Sequence, residues 1–105
     1  MHSATEANDR HRLIATLAKK YVWWLPPDEA ARDERRVVAQ VMDIGDFDDV
    51  RVAIERLGTE PFKVALTHAQ AGWFSPKSWA YWHYRCGLTP YDSAPPPLPA
   101  RPLGP

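Results

Sequence analysis

Four histidines, one cysteine and a knot of aspartates are the side chains through which this 105-residue chain could do chemistry. His2, His11, His68 and His83 are too scattered for metal-ligand spacing, and no acid stands four residues from His83 to orient its ring. A lone histidine on an aromatic helix reads as a hydrogen-bonded structural residue. Cys86 precedes a glycine at the negative end of a predicted helix, which disfavours the thiolate, so it reads as buried and inert. A single cysteine excludes an internal disulfide and argues against a cysteine-based zinc site. The chain has neither a glycine-rich phosphate loop nor a G-x-S-x-G elbow. No catalytic residue, cofactor or metal is assigned, and the chain is not expected to be an enzyme.

What remains is chemistry of contact. Asp43, Asp46, Asp48 and Asp49 crowd one turn. They read first as helix caps and a solvated face, and Asp46, Asp48 and Asp49 also as an acidic patch able to dock on a basic groove. The segment Trp73-Phe74-Ser75-Pro76-Lys77-Ser78-Trp79-Ala80-Tyr81-Trp82-His83-Tyr84-Arg85-Cys86-Gly87 is one punctuated helix. Ser75 is its N-cap, Pro76 its first residue and Gly87 its left-handed stop. Trp79, Trp82, His83 and Cys86 share one face, which reads as core, part of it shared with a partner. Tyr81, Tyr84 and Arg85 carry polar ends and are the better contact candidates. Trp23 and Trp24 point in different directions, so one of them is expected at the surface.

These residues need a scaffold, and the pattern supplies an all-α one. Residues 1–8 are polar and are expected to be disordered. A helix begins near Asp9 with Leu13, Ile14, Leu17, Ala18 and Tyr21 on its stripe, and should end near Trp24, before Pro26-Pro27. Residues 28–44 are helical, as one helix or as two with a joint near Asp33. Asp46 caps a helix whose apolar face is Phe47, Val50, Ile54 and Leu57, closed by Gly58. Thr59 caps the next, with Phe62, Ala65, Leu66 and Ala69 forming its stripe until Gly72. No stretch alternates with period two, so no strand is predicted. The expected fold is a small orthogonal bundle of about five short helices over residues 9–89, joined by tight Gly and Pro turns.

After Leu88 the composition changes. Residues 90–105 hold seven of the eleven prolines and form an extended, polyproline-like tail. Pro97, Leu98, Pro99 and Arg101 are its contact candidates, and Pro96-x-x-Pro99-x-Arg101 fits a generic SH3-ligand pattern.

Three segments together resemble a known family. They are Lys20-Tyr21-Val22-Trp23-Trp24-Leu25-Pro26-Pro27-Asp28-Glu29-Ala30, Val38-Ala39-Gln40-Val41-Met42-Asp43-Ile44-Gly45-Asp46-Phe47-Asp48-Asp49-Val50, and Phe74-Ser75 through Gly87-Leu88. Over residues 19–90 the chain resembles small bacterial antitoxin-like proteins encoded beside AbiEii-type nucleotidyltransferase toxins. The resemblance implies an antitoxin whose partner is a cognate nucleotidyltransferase-like toxin, neutralised by direct protein–protein binding. The acidic turn or the proline tail would then cover the toxin's cleft.

Charge bears on the alternative, a small helical DNA-binding transcriptional regulator. Thirteen Lys and Arg balance thirteen Asp and Glu, so there is no global basic field. Residues 46–72 can be drawn as a helix-turn-helix, but Glu60 and Pro61 open the would-be recognition helix, which offers only Lys63 and His68 to phosphate. No signal peptide or membrane-spanning run is read from the sequence, so a cytoplasmic, membrane-free protein is expected.

Overall fold

The computed structural model describes residues 2–100, and their helices are α1 (His2–Tyr21), α2 (Pro27–Arg32), α3 (Glu34–Ile44), α4 (Phe47–Leu57), α5 (Glu60–Thr67) and α6 (Pro76–Arg85). Among the described residues there is no strand, and the fold is a small all-α bundle. Residues 28–44 resolve into two helices. Asp33 is the joint: it ends α2, and its carboxylate then accepts from the Arg36 N–H as the cap of α3.

α3 is the hub, packed against each of the other five helices. Its Val37, Val38, Ala39, Val41 and Met42 are buried, in contact with a core that includes Ile14, Leu17, Phe62, Leu66 and Trp82. A helix packed against five others has few places to satisfy the free carbonyls of its last turn. α6 provides partners for them. The Trp82 Nε1–H donates to the Met42 carbonyl at 2.8 Å, and the Ser78 hydroxyl to the Asp43 carbonyl at 3.3 Å. In return the Asp43 carboxylate accepts the Ser75 N–H at 2.9 Å, just where α6 begins. At Gly45 the chain must turn tightly, because a Cβ there would stand 2.3 Å from the Val41 carbonyl oxygen.

The punctuation of α6 is as the sequence predicts. Ser75 Oγ accepts from the Ser78 N–H. At the other end Gly87 takes φ 73°, with its N–H on the Tyr84 carbonyl and the Leu88 N–H on the His83 carbonyl. That pair of bonds is a Schellman motif, and its left-handed residue favours glycine.

Several expectations are corrected. α1 starts at His2, not near Asp9, so residues 2–8 are helical where disorder was expected; none of them is Pro or Gly, and nothing breaks the helix there. It ends at Tyr21, three residues short of Trp24. A turn over Val22–Leu25, closed by Leu25 N–H on the Val22 carbonyl, buries Val22 and turns both tryptophans outward. Trp23 is 76% and Trp24 45% exposed, so both are at the surface. Thr59 makes no side-chain cap: it sits in the helical region, and only its carbonyl serves α5, which ends at Thr67 and not at Gly72, so Ala69 lies beyond it. Phe47, assigned to the inner face of α4, is 80% exposed.

Trp82→Phe should test the α6–α3 link. It keeps most of the apolar bulk but strands the buried Met42 carbonyl, at a cost of about 2 kcal/mol. Urea unfolding should show that loss at unchanged m-value, and a near-neutral result would mean that the carbonyl finds another donor.

Candidate functional site

Two aspartates of the acidic turn are engaged by α1. Lys20, in the last turn of α1, reaches Asp46 Oδ2 at 3.0 Å and Asp49 Oδ2 at 2.7 Å. The Tyr21 hydroxyl donates to Asp49 Oδ2 at 2.5 Å and accepts the Asp46 N–H at 3.1 Å. Asp46 Oδ1 meanwhile caps α4 through the Asp49 N–H at 2.8 Å. Two of the three aspartates predicted to meet a partner thus clamp α1 to α4. Only Asp48 points freely outward, with Arg51 4.0 Å away. The clamp shifts its members as its geometry requires. The Asp49 amide and the Lys20 ammonium hold the Asp46 carboxyl below its usual range. Hydrogen bonds to Asp49 and Asp46 hold the Lys20 ammonium above its own. Burial, then the bond to Asp49, pushes the Tyr21 phenol up.

The aromatic face of α6 is also closed. Trp79, Trp82 and His83 are buried, and the His83 Nδ1 lies 2.8 Å from the Trp79 carbonyl, which makes Nδ1 the protonated nitrogen. The part of this face expected to belong to a partner is covered by the chain's own tail. Trp79 Nε1–H donates to the Pro96 carbonyl at 2.7 Å, and Tyr84 OH to the Ser93 carbonyl at 2.8 Å. Tyr84 is therefore half-buried and engaged internally. Leu98 packs partly buried against the core, Pro99 is half-buried and Pro97 is exposed. Arg101 lies outside the described residues. Cys86 is half-buried rather than fully buried, and burial pushes its thiol up.

Two surfaces stay open. Trp23 and Trp24 meet edge to face at 5.8 Å, and the Arg36 guanidinium lies between Trp24 and Trp73, 5.7 and 5.3 Å from their rings. The second surface is a groove of about 310 Å³ between α4 and α6. Phe47, Val50, Tyr81 and Trp82 supply its apolar walls, and Lys77 and Arg85 its charge. It continues past Phe47 to Ile54 and Arg51. Tyr81 is 51% exposed at its edge, where its hydroxyl accepts from Arg85 Nη1 at 2.8 Å. The same guanidinium lies 5.2 Å from the Trp82 ring, so it is fixed over aromatic carbon. Ile44, at the end of α3, is also exposed. Among the described residues neither Lys77 nor Arg85 forms an ion pair.

Tyr81 and Arg85 were legible from their polar ends. Phe47 and Ile44 were missed because both fall on regular apolar stripes. Periodicity assigns a residue to a helix face but does not say where along the helix that face runs out of neighbours. In α4 only Ala53 is fully buried, and the first turn projects past the core.

Among the described residues, no group of three His, Cys, Asp or Glu side chains is placed to hold a metal, and no helix is long and apolar enough to cross a membrane. The larger depression of about 420 Å³ is lined by Arg10, Glu34, Val38, Leu57 and Pro61, with Arg10 and Glu34 paired across it. α5, the recognition helix of the regulator alternative, packs on α3 and α6 and turns Phe62, Ala65 and Leu66 into the core. No protein-family model matches the chain, and no match is found among curated proteins or solved structures.

The clamp predicts a pH dependence with two limbs. Asp46 contributes stability above its ordinary value of 3.8 and loses it as the pH falls from there. Tyr21 contributes below its ordinary value of 10.0 and loses that as the pH rises beyond it. Tyr21→Phe should cost about 1–2 kcal/mol at neutral pH, and should make the alkaline limb shallower, the rest of it coming from the raised Lys20 ammonium, while leaving the acid limb. Urea titrations at a series of pH values read both. An unchanged alkaline limb would mean that Tyr21 does not hold the clamp.

Proposed function

We propose that the chain is a non-catalytic binding protein, the antitoxin of a nucleotidyltransferase-like toxin, and that it acts in the bacterial cytoplasm by direct contact with the folded toxin. The observation that carries this reading is the open α4–α6 groove, an apolar surface with Phe47 80% exposed at its wall. Covering one such side chain stabilises a complex by about 2 kcal/mol. Scattered exposed apolar residues are ordinary, but Phe47 and Tyr81 both line one depression, beside an arginine held in place by aromatic rings. Tyrosine and arginine anchors of this kind dominate interface energies.

The groove moves the centre of the contact away from the acidic turn. With Asp46 and Asp49 occupied by Lys20 and Tyr21, the turn has little charge left to offer. Occlusion of the toxin would be led by the groove, with the Trp23–Trp24 edge as a secondary contact. The resemblance across residues 19–90 supports the choice of toxin.

Co-purification of the tagged full chain from its native cell, with intact-mass identification, tests this. A stoichiometric nucleotidyltransferase should accompany the wild type. Phe47→Asp should weaken that retention at least about 30-fold, and the pair Tyr81→Ala and Arg85→Ala about tenfold or more, with helicity unchanged by circular dichroism. Recovery of the chain alone, or with DNA and no protein, would sink the antitoxin reading.

A further inference from the structure

The tail is held as a ligand is held. After α6 the chain reverses through a turn closed by Ser93 N–H on the Pro90 carbonyl at 3.0 Å, then runs back along the helix. Residues 94–100 form no helix or strand. Pro95, Pro96, Pro97 and Pro99 each have φ locked near −65°. Ala94, Pro95, Pro96 and Leu98 each precede a proline, which drives ψ to the extended range. Pro95 and Pro96 are constrained at both dihedrals, so this strand is polyproline II by covalent structure.

Such a strand repeats every three residues, roughly 9 Å along its axis. Carbonyls three apart therefore face the same way, and α6 reads two of them. Tyr84 OH takes the Ser93 carbonyl and Trp79 Nε1–H the Pro96 carbonyl, so strand and helix run antiparallel. The side chains of residues 95 and 98 are also three apart, and both are partly buried, Leu98 against the core. Tyr91 stacks on Tyr84 at 5.7 Å and closes the turn end of the site. Prolines have no N–H, so a receptor for them must offer donors to carbonyls and flat aromatic surface. Trp79 and Tyr84 offer both.

We infer that the Trp79–Tyr84 face of α6 is a polyproline-recognition site for segments of the form Ser-x-Pro-Pro-x-Leu, filled in cis by Ser93 through Leu98. This inference does not depend on the toxin reading. Six residues separate α6's cap at Cys86 from Ser93, so the tail sits on its site at an effective concentration on the order of millimolar. An incoming proline-rich segment displaces the tail only above that level, or once the tail is loosened.

The test uses the full chain, labelled with nitrogen-15, and its variant carrying Pro95→Gly and Pro97→Gly. These changes keep the Ser93 and Pro96 carbonyls and Leu98 but remove the covalent preorganisation. In the wild type the Trp79 indole N–H should exchange at least about tenfold more slowly than that of exposed Trp23. In the variant its protection should fall about tenfold. A synthetic peptide of residues 90–100 should then restore the Trp79 and Tyr84 resonances saturably, at about tenfold lower concentration than is needed to compete in the wild type. Trp79→Phe in the loosened chain should abolish that binding. Equal exchange of Trp79 and Trp23, protection indifferent to the glycines, or no peptide response at Trp79 and Tyr84 would each overturn the inference. So would loss of helicity in the glycine variant, which would make residues 95–97 part of the fold and not a bound segment.

Discussion

A helix packed against five others still ends in carbonyls that need donors, and much of this structure follows from how α3 meets that requirement. Three of its five buried side chains are β-branched valines, which pack well but offer no polar atoms. The donors come from α6, some forty residues later in the chain, as the Trp82 indole and the Ser78 hydroxyl. Asp43 returns a bond to the first residues of α6. The exchange fixes both the position and the rotation of α6, so Trp82 must face inward against Phe62, 5.2 Å between ring centres. Once Trp82 is committed, Tyr81 and Arg85 can only lie on the side toward α4, and Trp79 and Tyr84 on the side where the tail runs.

The same accounting explains which surfaces are spent and which are left. Several polar side chains in this chain are paired in small closed sets: Lys20 and Tyr21 with Asp46 and Asp49, His83 with the Trp79 carbonyl, Tyr84 and Trp79 with the tail; the buried Arg36 Nη1 has no hydrogen-bond partner and its guanidinium lies against the Trp24 and Trp73 rings instead. A paired group contributes to rigidity and has little left for a partner. The α4–α6 groove is the contrast. Its aromatic and aliphatic walls are in place, its arginine is oriented, and nothing in the described chain fills it. A surface preorganised in this way loses little entropy when it is covered.

Much of the local structure was legible in particular residues. Ser75, Pro76 and Gly87 define α6 because each satisfies a conformational or hydrogen-bonding need of a helix end. Asp46 and Asp33 are caps for the same reason, and the valine stripe of residues 37–41 announces a buried helix. Misreadings came where a residue's fate depends on something distant. The sequence around Asp46 and Asp49 is the same whether or not Lys20 and Tyr21 arrive from α1. Phe47 continues an apolar stripe that ends, in space, one turn too soon. Trp23 and Trp24 continue a helical pattern in the sequence, but α1 ends at Tyr21 and the turn over Val22–Leu25 leaves both at the surface.

The sequence by itself determined the helical class, the ends of most helices and the extended character of the tail, because these depend on covalent geometry and on hydrogen bonds between near neighbours. The tertiary structure alone decided which aromatic side chains are core and which are surface, that the acidic turn closes on α1, and that the tail lies along α6. Each of those outcomes depends on contacts between residues far apart in the chain, such as Trp79 with Pro96 and Tyr21 with Asp49, and neither partner's identity discloses the other.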